Sequence, residues 1–186
     1  MYHYAGNNPI RYTDPDGRLQ RDPNGKLLFE KKGAPILFSH PSNPNVLCLL
    51  QPGYLITDDN NKIEAFINLE VDFKPEFTTD CHGTTFADGE YWINDQQVNS
   101  ILSGDSYIKV DTPQIGDICI YKDKDGNIVH STKVVEIIRN HDGSISDILV
   151  EGLGGMETEK NVNRLSNSWY TTDVSYEFYR KEEVEE

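Results

Sequence analysis

Short apolar runs separated by turn-forming clusters dominate the first third of the chain. Leu27-Leu28-Phe29 is brief and suggests an edge strand, and Pro35–Phe38 and Val46–Leu50 are separated by the loop former Ser39-His-Pro-Ser-Asn-Pro44. Ile63, Ala65, Ile67, Leu69, Val71 and Phe73 then alternate with other residues. That period of two predicts a strand, with a short helix at its end as the alternative. Val98, Ile101 and Leu102 change the period to i, i+3, i+4 and predict a helix over 95–102. Asn94 or Asp95 can cap it, and Ser103-Gly104-Asp105 ends it. Tyr107–Val110 comes next as a short strand.

The clearest β pattern lies further on. Gly116–Tyr121 and Ile128–Ile138 flank Lys122–Asn127, whose centre, Asp125-Gly126, is a strong hairpin signal. Asp142-Gly143 marks a second hairpin into Ile148–Glu151, which predicts that His130 and Glu151 come near each other on adjacent strands. Gly152-Leu-Gly-Gly155 reads as a flexible turn, and Asp173–Tyr179 alternates as a last strand.

Composition narrows the function classes. The 186 residues hold 37% hydrophobic residues and ten tyrosines, enough for a core. A formal charge of −14 argues against nucleic acid or an anionic membrane as partner, since phosphate contacts need Lys and Arg. No apolar run is long enough to insert across a bilayer, and no signal-peptide pattern is present. Three cysteines cannot form a closed disulfide set, which points to unpaired thiols in a reducing compartment.

One of those thiols stands apart. Cys48 and Cys119 sit inside apolar runs and read as small buried hydrophobes. Cys81 lies in Thr79-Asp80-Cys81-His82-Gly83-Thr84, among residues that bury poorly unless a site needs them. Asp80 is a candidate N-cap, which would put Cys81 at a helix N-terminus, where the peptide dipoles favour thiolate. A thiol nucleophile needs a base and a group to orient it. His130, between β-branched residues beside the hairpin, is the candidate base, and Glu151 on the next strand is the candidate orienter. His82 would point away from Cys81 on a helix and is read as a supporting or substrate-facing residue, as are Asp80 and Tyr54. Cys81-His82 with His130 and His141 offers zinc-type donors, but no Cys-x-x-Cys or His-x-x-x-His spacing accompanies them, so no metal is assigned. The reading needs no cofactor.

Two resemblances add to this. Tyr2-x-Tyr4-x-Gly6-Asn7-Asn8-Pro9-Ile10 followed by Asp14-Pro15-Asp16-Gly17 resembles the end of the core of Rhs (rearrangement hotspot) repeat proteins. It covers about the first 18 residues. The resemblance implies that the remainder of the chain is a variable C-terminal toxin, made in a bacterial cytoplasm and released into a target cell, with a cognate immunity protein. Some of that family cleave themselves near Asp-Pro-x-Gly-Leu; here Arg18 separates Gly17 from Leu19.

The order of parts over residues 77–155 is similar to papain-like peptidases of the NlpC and CHAP type: Asp80-Cys81-x-Gly83 opening a helix, Gly116-Asp117-Ile118 opening a hairpin, then Gly126/Asn127 before His130. That family commonly has serine after the cysteine, where His82 stands here. The resemblance implies an α+β fold, with a Cys-bearing helix packed on an antiparallel sheet. It also implies a triad of Cys81 as nucleophile, His130 as base and Glu151 as third member. The expected organisation is an Rhs-core end over 1–18, a linker over 19–33, a papain-like toxin domain over 34–180 and an acidic tail over 181–186. The expected activity is thiol-dependent hydrolysis of an amide in a protein or peptide-like substrate, by a peptidase, a peptidoglycan amidase or a deamidase. The alternative is a binding module in which Cys81 is structural.

Overall fold

Two antiparallel sheets and two short helices share one apolar core in the computed structural model, which describes residues 19–40, 43–70, 78–154, 160–167 and 174–182. In chain order the strands and helices are β1 (Phe29–Lys31), β2 (Ile36–His40), β3 (Asn43–Ile56), β4 (Lys62–Asn68), α1 (Cys81–Phe86), β5 (Trp92–Ile93), α2 (Asp95–Gly104), β6 (Tyr107–Val110), β7 (Ile118–Lys122), β8 (Ile128–Arg139), β9 (Ile145–Leu153), β10 (Lys160–Arg164) and β11 (Ser175–Lys181). The first sheet runs β1-β3-β4-β5, with β2 paired to β3; the second runs β10-β9-β8-β7-β11-β6. The α+β class with antiparallel sheets therefore agrees with the expectation.

The core lies where the two sheets and both helices meet. Leu55, Ile63, Ala65 and Ile93 come from the first sheet, Phe86 from α1, Val98, Ile101 and Leu102 from α2, and Ile118, Ile120 and Ile128 from the second sheet. The three apolar residues that predicted α2 are thus the ones it buries. A second cluster, with Cys119, Tyr121, Val134, Ile148, Val150 and Phe178, lies on the other face of the second sheet. Asp117, at the entry to β7, ties that sheet together: it takes both Nε and Nη2 of Arg180 on β11 at 2.8 Å.

Residues 19–33 are not a linker. Leu19 and Leu27 belong to the core, and the Gln20 N–H donates to the Ile56 carbonyl at 2.8 Å. The turn Asp22-Pro-Asn-Gly25 folds the chain back, with the Asp22 N–H donating to Lys26 O at 2.8 Å. Its polar composition marks a tight turn rather than a spacer, and it brings the two leucines to one side. β9 continues through Gly152 and Leu153, in place of the expected turn. β10 has no counterpart in the sequence pattern, because Lys-Asn-Val-Asn-Arg is exposed throughout and carries no alternation. The Rhs-like segment 1–18 lies outside the described residues, as do 71–73 of the expected strand and the acidic residues 183–186.

One irregularity decides what faces the helices. Tyr121 pairs with His130, but Lys122 pairs with Ile128, so Val129 is an extra residue on β8. Such a bulge shifts the in–out phase of a strand by one position. Beyond it, Ser131 and Lys133 pair with Ile120 and Ile118 and share their core-side face. His130 and Thr132 pair with Tyr121 and Cys119 and share the far face.

Candidate active site

α1 starts where Asp80 joins it to the first sheet. The Asp80 Oδ1 accepts from the Gly83 N–H at 2.7 Å, which is the expected N-cap, and its Oδ2 accepts from the Ile93 N–H of β5 at 2.9 Å. Thr79 Oγ1 donates to the Tyr91 carbonyl at 2.7 Å alongside. Two residues thus fasten the start of α1 to the outer edge of β5. Burial pushes the Asp80 carboxyl up, against the Gly83 and Ile93 bonds and the His82 charge, to about 6.

Cys81 heads α1 and is partly exposed, whereas Cys48 and Cys119 are fully buried. Burial pushes the Cys119 thiol up to about 12. α1 buries His82, Gly83, Thr85 and Phe86. Cys81 therefore sits on the rim while the next residue turns inward.

His82 is 1% exposed. Its Nδ1 lies 2.7 Å from Ser131 Oγ on β8, and its Nε2 lies 2.9 Å from Asp95 Oδ1 at the start of α2. Burial is the largest single influence and pushes the imidazole down. Hydrogen bonds to Asp95 and to the Cys81 side chain, with the charges of Cys81 and Asp80, outweigh it and raise the ring to about 10. Asp95 is itself more than half exposed, so one end of this chain of contacts reaches solvent. Three elements, α1, α2 and β8, meet on a single ring.

The expected triad is not what the fold assembles. His130 is on the far face of β8, 6% exposed, with its ring 5.2 Å from that of Tyr121. Burial first, then the His82 charge, push it down to about 4. The bulge at Val129 is the physical reason: it turns His130 away from α1 and turns Ser131 toward it. Glu151 pairs with Lys133, so it lies on the core-side face and cannot orient a ring on the other side; its carboxylate meets Lys160 Nζ at 3.5 Å. Tyr54 alternates with the core residue Leu55 and so lies on the outer face of the first sheet, paired with Glu64 on β4 and covered by the ammonium groups of Lys32 and Lys62 at 5.0 and 5.4 Å from its ring. Asp80 and His82 do join Cys81.

Asp95 and Ser131 escape the sequence pattern. Asp95 reads there as a helix start and Ser131 as a strand residue beside His130. One signal is available for His82: Phe86 lies four residues on, so a helix from Cys81 puts both on its buried face. Among the described residues no group of three or more His, Cys, Asp or Glu is arranged to hold a metal ion. An open groove of about 500 Å³, lined by residues including Ile115, Glu136 and Arg139, shares no residue with the site.

The raised His82 makes a pH prediction. A base whose proton is held more tightly in the folded state contributes stability that is full below its unfolded value, near 6.5, and is lost as pH rises through about 10. The urea midpoint is expected to fall between pH 7 and pH 10, and to fall less in His82→Gln. Equal falls in both proteins would contradict the raised ring.

No family model, curated protein or solved structure matches this chain.

Proposed function

We propose that this chain is a thiol-dependent amide hydrolase in which Cys81 is the nucleophile, His82 carries the proton and Asp95 orients the ring. The observation that carries this reading is the 2.9 Å contact of His82 Nε2 with Asp95 Oδ1 beside a partly exposed thiol. A carboxylate behind an imidazole stabilises its charged form and fixes its plane, and the charged form in turn stabilises a thiolate. The thiolate attacks the amide carbon, and the carbonyl π pair moves onto oxygen. Collapse of that adduct breaks the C–N bond, and the departing amine takes the proton held by His82. Water then attacks the thioester and gives its proton to His82, and the acid leaves as the thiolate is restored.

The finer papain-like reading of the fold is supported by a cysteine-headed helix set against an antiparallel sheet. It departs from that family in the source of the imidazole, one residue after the cysteine instead of a strand. The delivered-effector reading, with an immunity protein as partner, rests on the Rhs-like signature of residues 1–18. A second reading is favoured by one observation. His82 is almost sealed, with both nitrogens satisfied, as in a structural cross-brace of a binding module.

The test is toxicity on expression in a bacterial cytoplasm, with folding checked by circular dichroism. Cys81→Ala is expected to abolish toxicity while keeping the fold. Full toxicity in the folded variant would leave the binding-module reading standing.

A further inference from the structure

Among the described residues, the Ser131 hydroxyl is the ring partner of His82 that no solvent reaches: Ser131 is 0% exposed, against a more than half-exposed Asp95 at the other nitrogen. A buried hydroxyl has a single hydrogen to give, and buried polar groups are almost always satisfied. Here Oγ lies 2.7 Å from His82 Nδ1 and 3.5 Å from the Cys81 carbonyl oxygen, which can only accept. If the hydroxyl gives its hydrogen to that carbonyl, it must accept from Nδ1–H. Asp95, at Nε2, also accepts. With the hydroxyl committed to that carbonyl, which also accepts from Thr85 Oγ1 at 2.9 Å, the ring carries hydrogen on both nitrogens; a hydroxyl donating to a bare Nδ1 would leave the ring neutral, against the raised proton affinity that Asp95 and Cys81 give it.

We propose that Ser131 is a positioning residue that holds His82 as an imidazolium and ties the ring to the backbone of Cys81. This rests on the hydrolase reading for its purpose, though not for its geometry. The bulge at Val129 is then a device rather than an irregularity. It is what places a hydroxyl on the α1 side of β8 and removes the His130 ring from it. The charged and titratable groups around the ring are consistent with this. Asp80 and Cys81 adjoin it on its own segment, Asp95 faces it from α2, and His130 lies behind it across the β8 backbone. The Lys133–Glu151 pair lies further along the same sheet face.

The experiment is ¹⁵N NMR of the imidazole rings, read together with the rate of Cys81 alkylation by iodoacetamide at pH 6 and pH 9. In the wild-type protein both nitrogens of His82 are expected to be protonated at pH 7. In Ser131→Ala the ring is expected to lose a proton at lower pH, and the pH 6 rate to fall about tenfold relative to the pH 9 rate, as the loss of a bond to a charged group implies. Ser131→Thr, which keeps the hydroxyl, is expected to restore both. A wild-type ring with a bare Nδ1 at pH 7 would overturn the proposal even if Ser131→Ala does not fold. So would a folded Ser131→Ala with an unchanged ring spectrum and rate ratio. Slow wild-type alkylation alongside a doubly protonated ring would instead sink the hydrolase reading and leave the Ser131 assignment intact.

Discussion

Adding one methyl group at Gly83 is expected to cost roughly 3 kcal/mol of stability or more, and to dismantle the site with it. A Cβ there would lie 1.6 Å from the Tyr91 carbonyl oxygen, 2.4 Å from Thr79 Oγ1 and 2.8 Å from the Tyr91 carbonyl carbon. The obstacle is backbone, so a side-chain rotation cannot relieve it. Nor can the two segments drift apart freely. Asp80 holds the Gly83 and Ile93 N–H groups with its two oxygens, and Thr79 holds the Tyr91 carbonyl. Glycine is therefore required at position 83 by close approach. Gly152 offers a contrast: a Cβ there meets first the Thr132 methyl at 2.6 Å, which is a side chain, so Gly152→Ala is expected to cost less. Urea denaturation of the two variants checks this. A Gly83→Ala protein within about 1 kcal/mol of wild type, an ordinary cost for any substitution, would refute the packing described for α1 and β5.

His82→Gln is expected to reduce the proposed hydrolytic activity, read as toxicity and as turnover once a substrate is known, by about 10²–10⁴-fold, the range typical of a lost acid–base group. Glutamine can keep a bond to Ser131 or to Asp95, but it cannot carry a proton between sulfur, leaving group and water. Asp95→Asn is expected to fall between wild type and His82→Gln. An amide oxygen still accepts from Nε2–H, yet it no longer supplies the negative charge that opposes the cost of burying an imidazolium. His130→Gln is expected to leave activity near wild type, because that ring faces Tyr121 across the sheet from Cys81. Activity retained in folded His82→Gln and lost in His130→Gln would reverse the assignment.

Much of the scaffold is legible from local rules. The Asp80 cap, the start of α1 at Cys81, the buried stripe of α2 and the Asp125-Gly126 and Asp142-Gly143 hairpins all derive from short-range chemistry. The elements that escape such rules are those fixed at long range. β10 exists because β9 offers it an edge, and its own five residues carry no period. Leu19 and Leu27 enter the core because a turn folds them against β3, so their importance depends on residues far along the chain. The site shows the same division. Cys81 is identifiable from its neighbours, since nothing apolar surrounds it in sequence. Its partner is not, because the choice between His130 and Ser131 on the α1 side depends on a single bulged residue. Val129 is an ordinary β-branched strand residue, and only its pairing with β7 shows that it is extra. A histidine on a strand draws attention that belongs to the histidine next to the cysteine.

The ring beside Cys81 belongs to His82, and on that assignment the hydrolase mechanism stands or falls. The most direct measurement is the second-order rate of Cys81 alkylation by iodoacetamide at pH 6, located by peptide mass spectrometry, with buried Cys48 and Cys119 as slow internal references. Rapid labelling in wild type and in His130→Gln, and a rate at least about tenfold lower in folded His82→Gln, is the expected result for a thiolate held by that ring. Labelling that survives loss of His82 and disappears with His130 would contradict it.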